Sequence, residues 1–174
     1  MNNRGFTLIE LSLVVFLAGT MMFLALPAMR DTLVSDPLAT SVNRIVNTAN
    51  HISNEARRER VDVLLHFDVE RGRIWTTSAD MTDEAIRDEQ ERAWQLPTGV
   101  RIVDVERFGG ELLRDGEVVI RFYSRGYRDP TVVRLARGGD RYTLVFEPFL
   151  PKVAVKEGYH RRDRDGTFYR TTSS

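Results

Sequence analysis

Apolar residues are unevenly distributed along this chain. Phe6 to Leu26 (FTLIELSLVVFLAGTMMFLAL) is apolar on every side and holds one formal charge, Glu10. At about 1.5 Å rise per residue, a helix of this length spans roughly 30 Å, the hydrocarbon thickness of a bilayer. A secretory signal has a shorter apolar core, about 7–15 residues, closed by small residues at a cleavage site. This run is longer and no Ala-x-Ala closes it, so it predicts an anchor that persists. Pro27 ends the run or kinks the helix there. Arg4 precedes the run and Arg30 follows it, so flanking charge specifies orientation only weakly.

The second pattern is amphipathic. Ser35-Asp36-Pro37 is a helix start, with a capping side chain followed by a proline suited to the first turn. Leu38, Val42, Ile45, Ala49, Ile52 and Ala56 then recur at spacings of four and three, one apolar stripe of a helix. Arg44, Asn47, Asn50 and Asn54 fall on the other side. Arg57-Arg58-Glu59-Arg60 closes the helix with basic side chains that favour its C-terminal dipole. Residues 6–60 thus read as one long helix, with an anchoring part over 6–29 and an amphipathic part over 30–60.

From Val61 the period becomes two. Val61, Val63, Leu65, Phe67 and Val69 alternate with Asp62, Leu64, His66 and Asp68, a half-buried strand. Ile74 to Thr77 returns after the Glu70–Arg73 turn. Residues 78–92 are densely charged and read as a loop or a short surface helix. Further strands are expected over Val100–Val105, Val118–Phe122, Thr131–Ala136 and Tyr142–Phe146, the last two joined by a glycine hairpin at Arg137–Arg141. One long helix followed by strands predicts an α+β fold with an antiparallel sheet, its β-rich part over 61–155. The segment 156–174 is basic, short of aliphatic residues, and expected to be a flexible tail.

Composition adds exclusions. Lys plus Arg is 25 and Asp plus Glu is 25, so the whole chain is neither a basic nucleic-acid coat nor an acidic tail. With no cysteine there is no disulfide, thiolate metal site or Cys nucleophile. The mean hydropathy of −0.30 averages two unlike parts, an apolar segment and a charged domain.

The start of the apolar run carries the sharpest motif. Arg4-Gly5-Phe6-Thr7-Leu8-Ile9-Glu10-Leu11 joins a short polar leader ending in Gly, a Phe after it, a Glu inside the run, and a proline at its end. A carboxylate within an apolar membrane helix costs up to about 3 kcal/mol at the centre, so it normally has a partner or a purpose. This pattern resembles the cleavage and methylation motif of type IV pilin-like proteins. The resemblance implies a leader over 1–5, cut by a prepilin peptidase between Gly5 and Phe6, with the new amine of Phe6 methylated. It implies that Glu10 meets the Phe6 ammonium of a neighbouring subunit, and that Pro27 interrupts the helix.

Downstream, Glu55-Ala56-Arg57, the strand from Val61, Trp94 to Val100 and the Arg137-Gly138-Gly139 hairpin look like the H-type minor pseudopilins of type II secretion. The related minor pilins of type IV pili and competence filaments share this layout. The charged segment 78–92 departs from it, as an insertion. What the resemblance implies is a structural subunit rather than an enzyme, with no small-molecule cofactor. Its partners would be a prepilin peptidase, other pseudopilins, an inner-membrane assembly platform and membrane lipid. It would sit in a bacterial inner membrane by a single pass, its C-terminal domain in the periplasm. The alternative is a minor pilin of a type IV pilus or competence filament, in contact with DNA.

Other chemistry is thin. His51, His66 and His160 are too far apart in sequence to suggest a ligand set, and no nucleophile elbow, phosphate loop or dinucleotide fingerprint is present. Asp163-Arg164-Asp165-Gly166 has part of a calcium-loop pattern and lacks the other ligands, so a polar turn is expected. Lys152, Lys156, His160, Arg161, Arg162, Arg164 and Arg170, with Tyr159, Phe168 and Tyr169 between them, could touch phosphates and stack on bases. Glu157, Asp163 and Asp165 dilute that charge, and nucleic acid is not expected as a partner. Trp75 and Trp94 are expected as packing anchors.

Overall fold

The computed structural model describes the backbone of residues 8–33, 36–162 and 168–170, and the side chains of 8–21 and 36–161. The chain divides into two units, 1–36 and 37–174.

The first unit holds one helix, α1 (Leu8–Leu33). It runs through position 27, so Pro27 does not end it. A proline inside a helix removes one backbone hydrogen bond, which the turns on either side can carry. Where one helix was expected over 6–60, two are described, α1 and α2 (Pro37–Glu59), in separate units.

In the second unit α2 starts at Pro37, and its expected stripe is the buried one. Leu38, Val42, Ile45, Ala49, Ile52 and Ala56 are all at most 2% exposed. Ser41 is buried with them because its hydroxyl donates back to the Pro37 carbonyl at 2.7 Å. Each large aliphatic residue so buried contributes roughly 1.5–3 kcal/mol against exposure. The helix stops at Arg60, whose φ of 57° is left-handed, a conformation usually left to glycine at this position.

The strands follow in three sheets among the described residues, two large and one of two strands, all pairings antiparallel. β1 (Val63–Asp68), β2 (Arg73–Ser78), β3 (Trp94–Gln95) and β6 (Glu117–Phe122) form one sheet in the order β3-β2-β1-β6. β4 (Arg101–Arg107), β5 (Leu112–Leu113), β7 (Thr131–Arg137), β8 (Asp140–Phe146) and β9 (Ala154–Glu157) form the other, ordered β5-β4-β7-β8-β9. α2 packs on β1, β6 and β7, so its stripe touches both sheets. The core lies between, with Leu65, Phe67 and Ile120 from one sheet and Val105, Leu135 and Phe146 from the other. Two-residue register across Gly138-Gly139 closes the β7–β8 hairpin, with Gly138 at φ 57°.

The charged segment 78–92 contains a surface helix, α3 (Asp83–Glu91). Thr82 caps it through the Ala85 N–H, and no side chain of it is buried. The segment expected to be a loose tail contains strands. β9 extends the second sheet into it, and β10 (His160–Arg162) pairs with β11 (Phe168–Arg170).

Candidate functional site

Gly5 and Phe6 lie outside the described residues. Glu10 stands in the first turn of α1. Around it every described side chain of α1, from Leu8 to Met21, is exposed, and the large ones are apolar: Leu8, Ile9, Leu13, Val15 and Phe16 among them. The two hydroxyls bond back to their own helix. Ser12 Oγ donates to the Ile9 carbonyl and Thr20 Oγ1 to the Phe16 carbonyl, each at 2.8 Å. A helix that is apolar on all sides and satisfies its hydroxyls internally needs cover from protein or lipid. Among the described residues no helix is both long and apolar enough to cross a membrane.

The most buried polar site is on the outer face of the second sheet. An extra residue in β4, Val103, shifts the register between Ile102 and Asp104. The bulge leaves Ile102 and Val105 facing the core and puts Asp104 and Glu106 on the opposite face. There Asp104 sits directly across from Arg134 of β7. Arg134 Nη1 donates to Asp104 Oδ1 at 2.6 Å, Nη2 to Glu106 Oε2 at 2.5 Å, and Nε to the His160 carbonyl at 2.7 Å. Tyr159 covers the group: its ring centre is 4.6 Å from the Arg134 guanidinium carbon, and its hydroxyl donates to Asp104 Oδ2 at 2.8 Å. Thr143 completes it, donating to the Gly158 carbonyl at 2.7 Å and accepting the His160 N–H at 3.1 Å.

These contacts fix the electrostatics. Burial alone would lower the Arg134 pKa, but the hydrogen bonds and charges of Glu106 and Asp104 more than offset it and raise it. Burial, then the hydrogen bond to the Asp104 carboxylate and its charge, push the Tyr159 phenol up. The cluster is a clasp. It holds Gly158, Tyr159 and His160 across β4, β7 and β8, which is why this part of the chain is ordered. Tyr159 and the His160 backbone, read in sequence among residues able to meet nucleic acid, are committed here to the protein itself.

The histidines do not converge. His51 is exposed on α2, 3.8 Å from Glu55. His66, in β1, has Nδ1 2.7 Å from Glu117 Oε1 and Nε2 2.8 Å from Thr77 Oγ1, and stacks on Trp75 with ring centres 5.0 Å apart. His160 Nε2 lies 2.8 Å from the Glu157 carbonyl. Among the described residues no three potential ligands are grouped to hold a metal. Asp163 to Gly166 lie outside the described residues. Trp75 is buried and Trp94 packs against the core, with the Arg44 guanidinium 4.3 Å over its ring.

No family profile matches the chain and no curated protein matches it in sequence. Solved structures do match in fold. The minor pseudopilin EpsH from the type II secretion system of Vibrio cholerae is similar at a TM-score of 0.52 and 14% identity, over 71% of this chain and 97% of that one. A second structure of EpsH is similar at 0.50 and 14%, over 77% and 94%. The fold is thus pilin-like: an amphipathic helix on antiparallel sheets, as in a minor pseudopilin.

Proposed function

We propose that this chain is a minor pseudopilin, a structural subunit of the periplasmic filament that drives protein export by type II secretion. The observation that carries the reading is a coincidence of two independent features. The Gly5-Phe6 and Glu10 motif opens an apolar helix, and a unit with the pilin-like fold follows it. In this reading a prepilin peptidase cuts after Gly5 and methylates Phe6. The helix holds the subunit in the inner membrane by a single pass, with unit 37–174 in the periplasm. An assembly platform then moves it into the filament beside other pseudopilins.

Glu10 supplies the chemistry of assembly. The processed amine at Phe6 is cationic, and in an apolar bundle its attraction to a neighbour's Glu10 carboxylate is stronger than in water. Such a pair sets the stagger between subunits. The chain works as a building element, without cofactor or catalysis.

Mass spectrometry of the chain expressed with a prepilin peptidase tests this. The expected product begins at a methylated Phe6. An intact Met1 start, with the peptidase active on a control substrate, would overturn the reading.

A further inference from the structure

Beside the Tyr159 clasp lies a pocket of about 480 Å³, lined by Arg101, Asp104, Arg114, Arg141 and Tyr159 with the β4 backbone at Ile102 and Val103. Its position is set by strand pairing. β5 is only two residues long and pairs with β4 at Val105 and Glu106, so among the described residues Arg101 to Asp104 have a strand neighbour on the β7 side alone. That stretch of β4 is an open edge, with backbone groups directed away from the sheet.

Three of the four charged side chains lining this pocket are arginines. Arg101, Ala136 and Arg141 are direct partners across β4, β7 and β8, so both arginines rise from the same face with a small residue between them. Arg114, just after β5, supplies a third guanidinium. The one acid in the lining, Asp104, is already engaged by Arg134 and Tyr159. Arg101 and Arg114 are exposed, and neither has an ion pair or a side-chain hydrogen bond among the described residues. Guanidinium groups facing a concavity are suited to bidentate capture of carboxylates.

We propose that this pocket and the open edge of β4 form a docking site for an extended acidic peptide segment of a partner protein. The peptide backbone runs along Arg101 to Val103, as in strand addition, and its carboxylates meet the arginines. The bulge at Val103 keeps the added pairing short, so the charges carry the specificity. The arginines are grouped at a strand edge beside a concavity, which suits a chain of strand width better than the broad cationic surface a duplex needs.

Isothermal titration of the full chain in a neutral detergent tests this with an end-blocked peptide of alternating Glu and Val. The expected result is binding that weakens as salt rises and falls by more than about tenfold in the Arg101→Gln/Arg114→Gln variant. Both side chains are exposed, so the variant should keep the parent melting temperature. A matched peptide with Gln for Glu should not bind, and inorganic phosphate is titrated separately. The proposal is overturned by no binding of the Glu peptide, by equal binding of the Gln peptide, by an unchanged affinity in the variant, or by a site that takes phosphate but no peptide.

Discussion

Arg134 Nη1 lies 2.6 Å from Asp104 Oδ1, between two side chains that are each 1% exposed. A pair this deep is costly to break, because the surviving charges stay buried without compensation. Arg134→Met should destabilise the chain by about 3–5 kcal/mol in urea unfolding. Neutralising the acids as well, with Asp104→Asn and Glu106→Gln, should recover a large part of that loss. A triple variant no more stable than Arg134→Met alone would show that packing of the arginine, not its charge, is what matters.

The clasp also predicts a smaller effect. Tyr159→Phe removes the hydroxyl donated to Asp104 and keeps the ring over Arg134. A loss of about 1.5–3 kcal/mol is expected, the scale of one hydrogen bond to a charged group. Amide exchange should rise mainly over 158–162, because the clasp holds that segment to the sheet. Exchange rising equally across the core strands would place Tyr159 in the global fold instead.

Legibility in the sequence differed between elements for physical reasons. The α2 stripe was fully readable, because a helix with one buried face writes its period into the sequence, and all six expected residues are buried. β1 was readable on one face only. Its alternation put Val63, Leu65 and Phe67 in the core, but His66 and Asp68 are buried too, His66 by Trp75, Glu117 and Thr77 and Asp68 by Arg71 and Arg73. Arg134 was hidden in the same way. It is the one charged residue in an otherwise apolar run from Val132 to Ala136, and no local pattern reveals that a segment more than twenty residues later lies across its outer face. That segment lacks aliphatic residues and is held by polar contacts, so it read as a tail. β3 and β5, two residues each, are too short to have a period. Gly5 and Phe6, where the sequence motif places the expected processing site, lie outside the described residues.

Asp68 gives a pH dependence. Its burial would raise its pKa, but the Arg71 N–H at 2.9 Å and the Arg73 and Arg71 guanidiniums more than offset that and hold the carboxyl below its ordinary range. A carboxyl that ionises more easily when folded stabilises the fold above its unfolded pKa of about 3.9, and loses that contribution as pH falls through the folded value. Asp68→Asn should therefore be less stable than the parent at neutral pH, and the gap should close in acid. A gap that is constant down to about pH 2 would refute the linkage.

Arg60 offers a stabilising change. At φ 57° a non-glycine residue is strained, by roughly 1–2 kcal/mol. Arg60→Gly removes that strain and adds some entropy to the unfolded chain, which opposes it. A net gain of about 0.5–1 kcal/mol in unfolding free energy is expected. Arg60→Ala should give no gain, since it keeps the Cβ that clashes.

Glu10 tests the assembly reading apart from the fold. It belongs to α1, in a different unit from the core, so Glu10→Leu should leave the melting of the 37–174 unit unchanged. Removing a carboxylate from an apolar segment makes membrane insertion more favourable, by up to about 3 kcal/mol if the group lies at the bilayer centre. On the proposed reading assembly should respond in the opposite direction, because a processed Phe6 amine of the neighbour would lose its counter-charge. Membrane fractionation and cross-linking to other filament subunits would separate the two effects: full recovery in the membrane with weakened cross-linking is expected. If Glu10→Gln and Glu10→Leu both cross-linked like the parent, the carboxylate would have no role in stagger, and the pairing with Phe6 would have to be abandoned even if processing at Gly5 were confirmed.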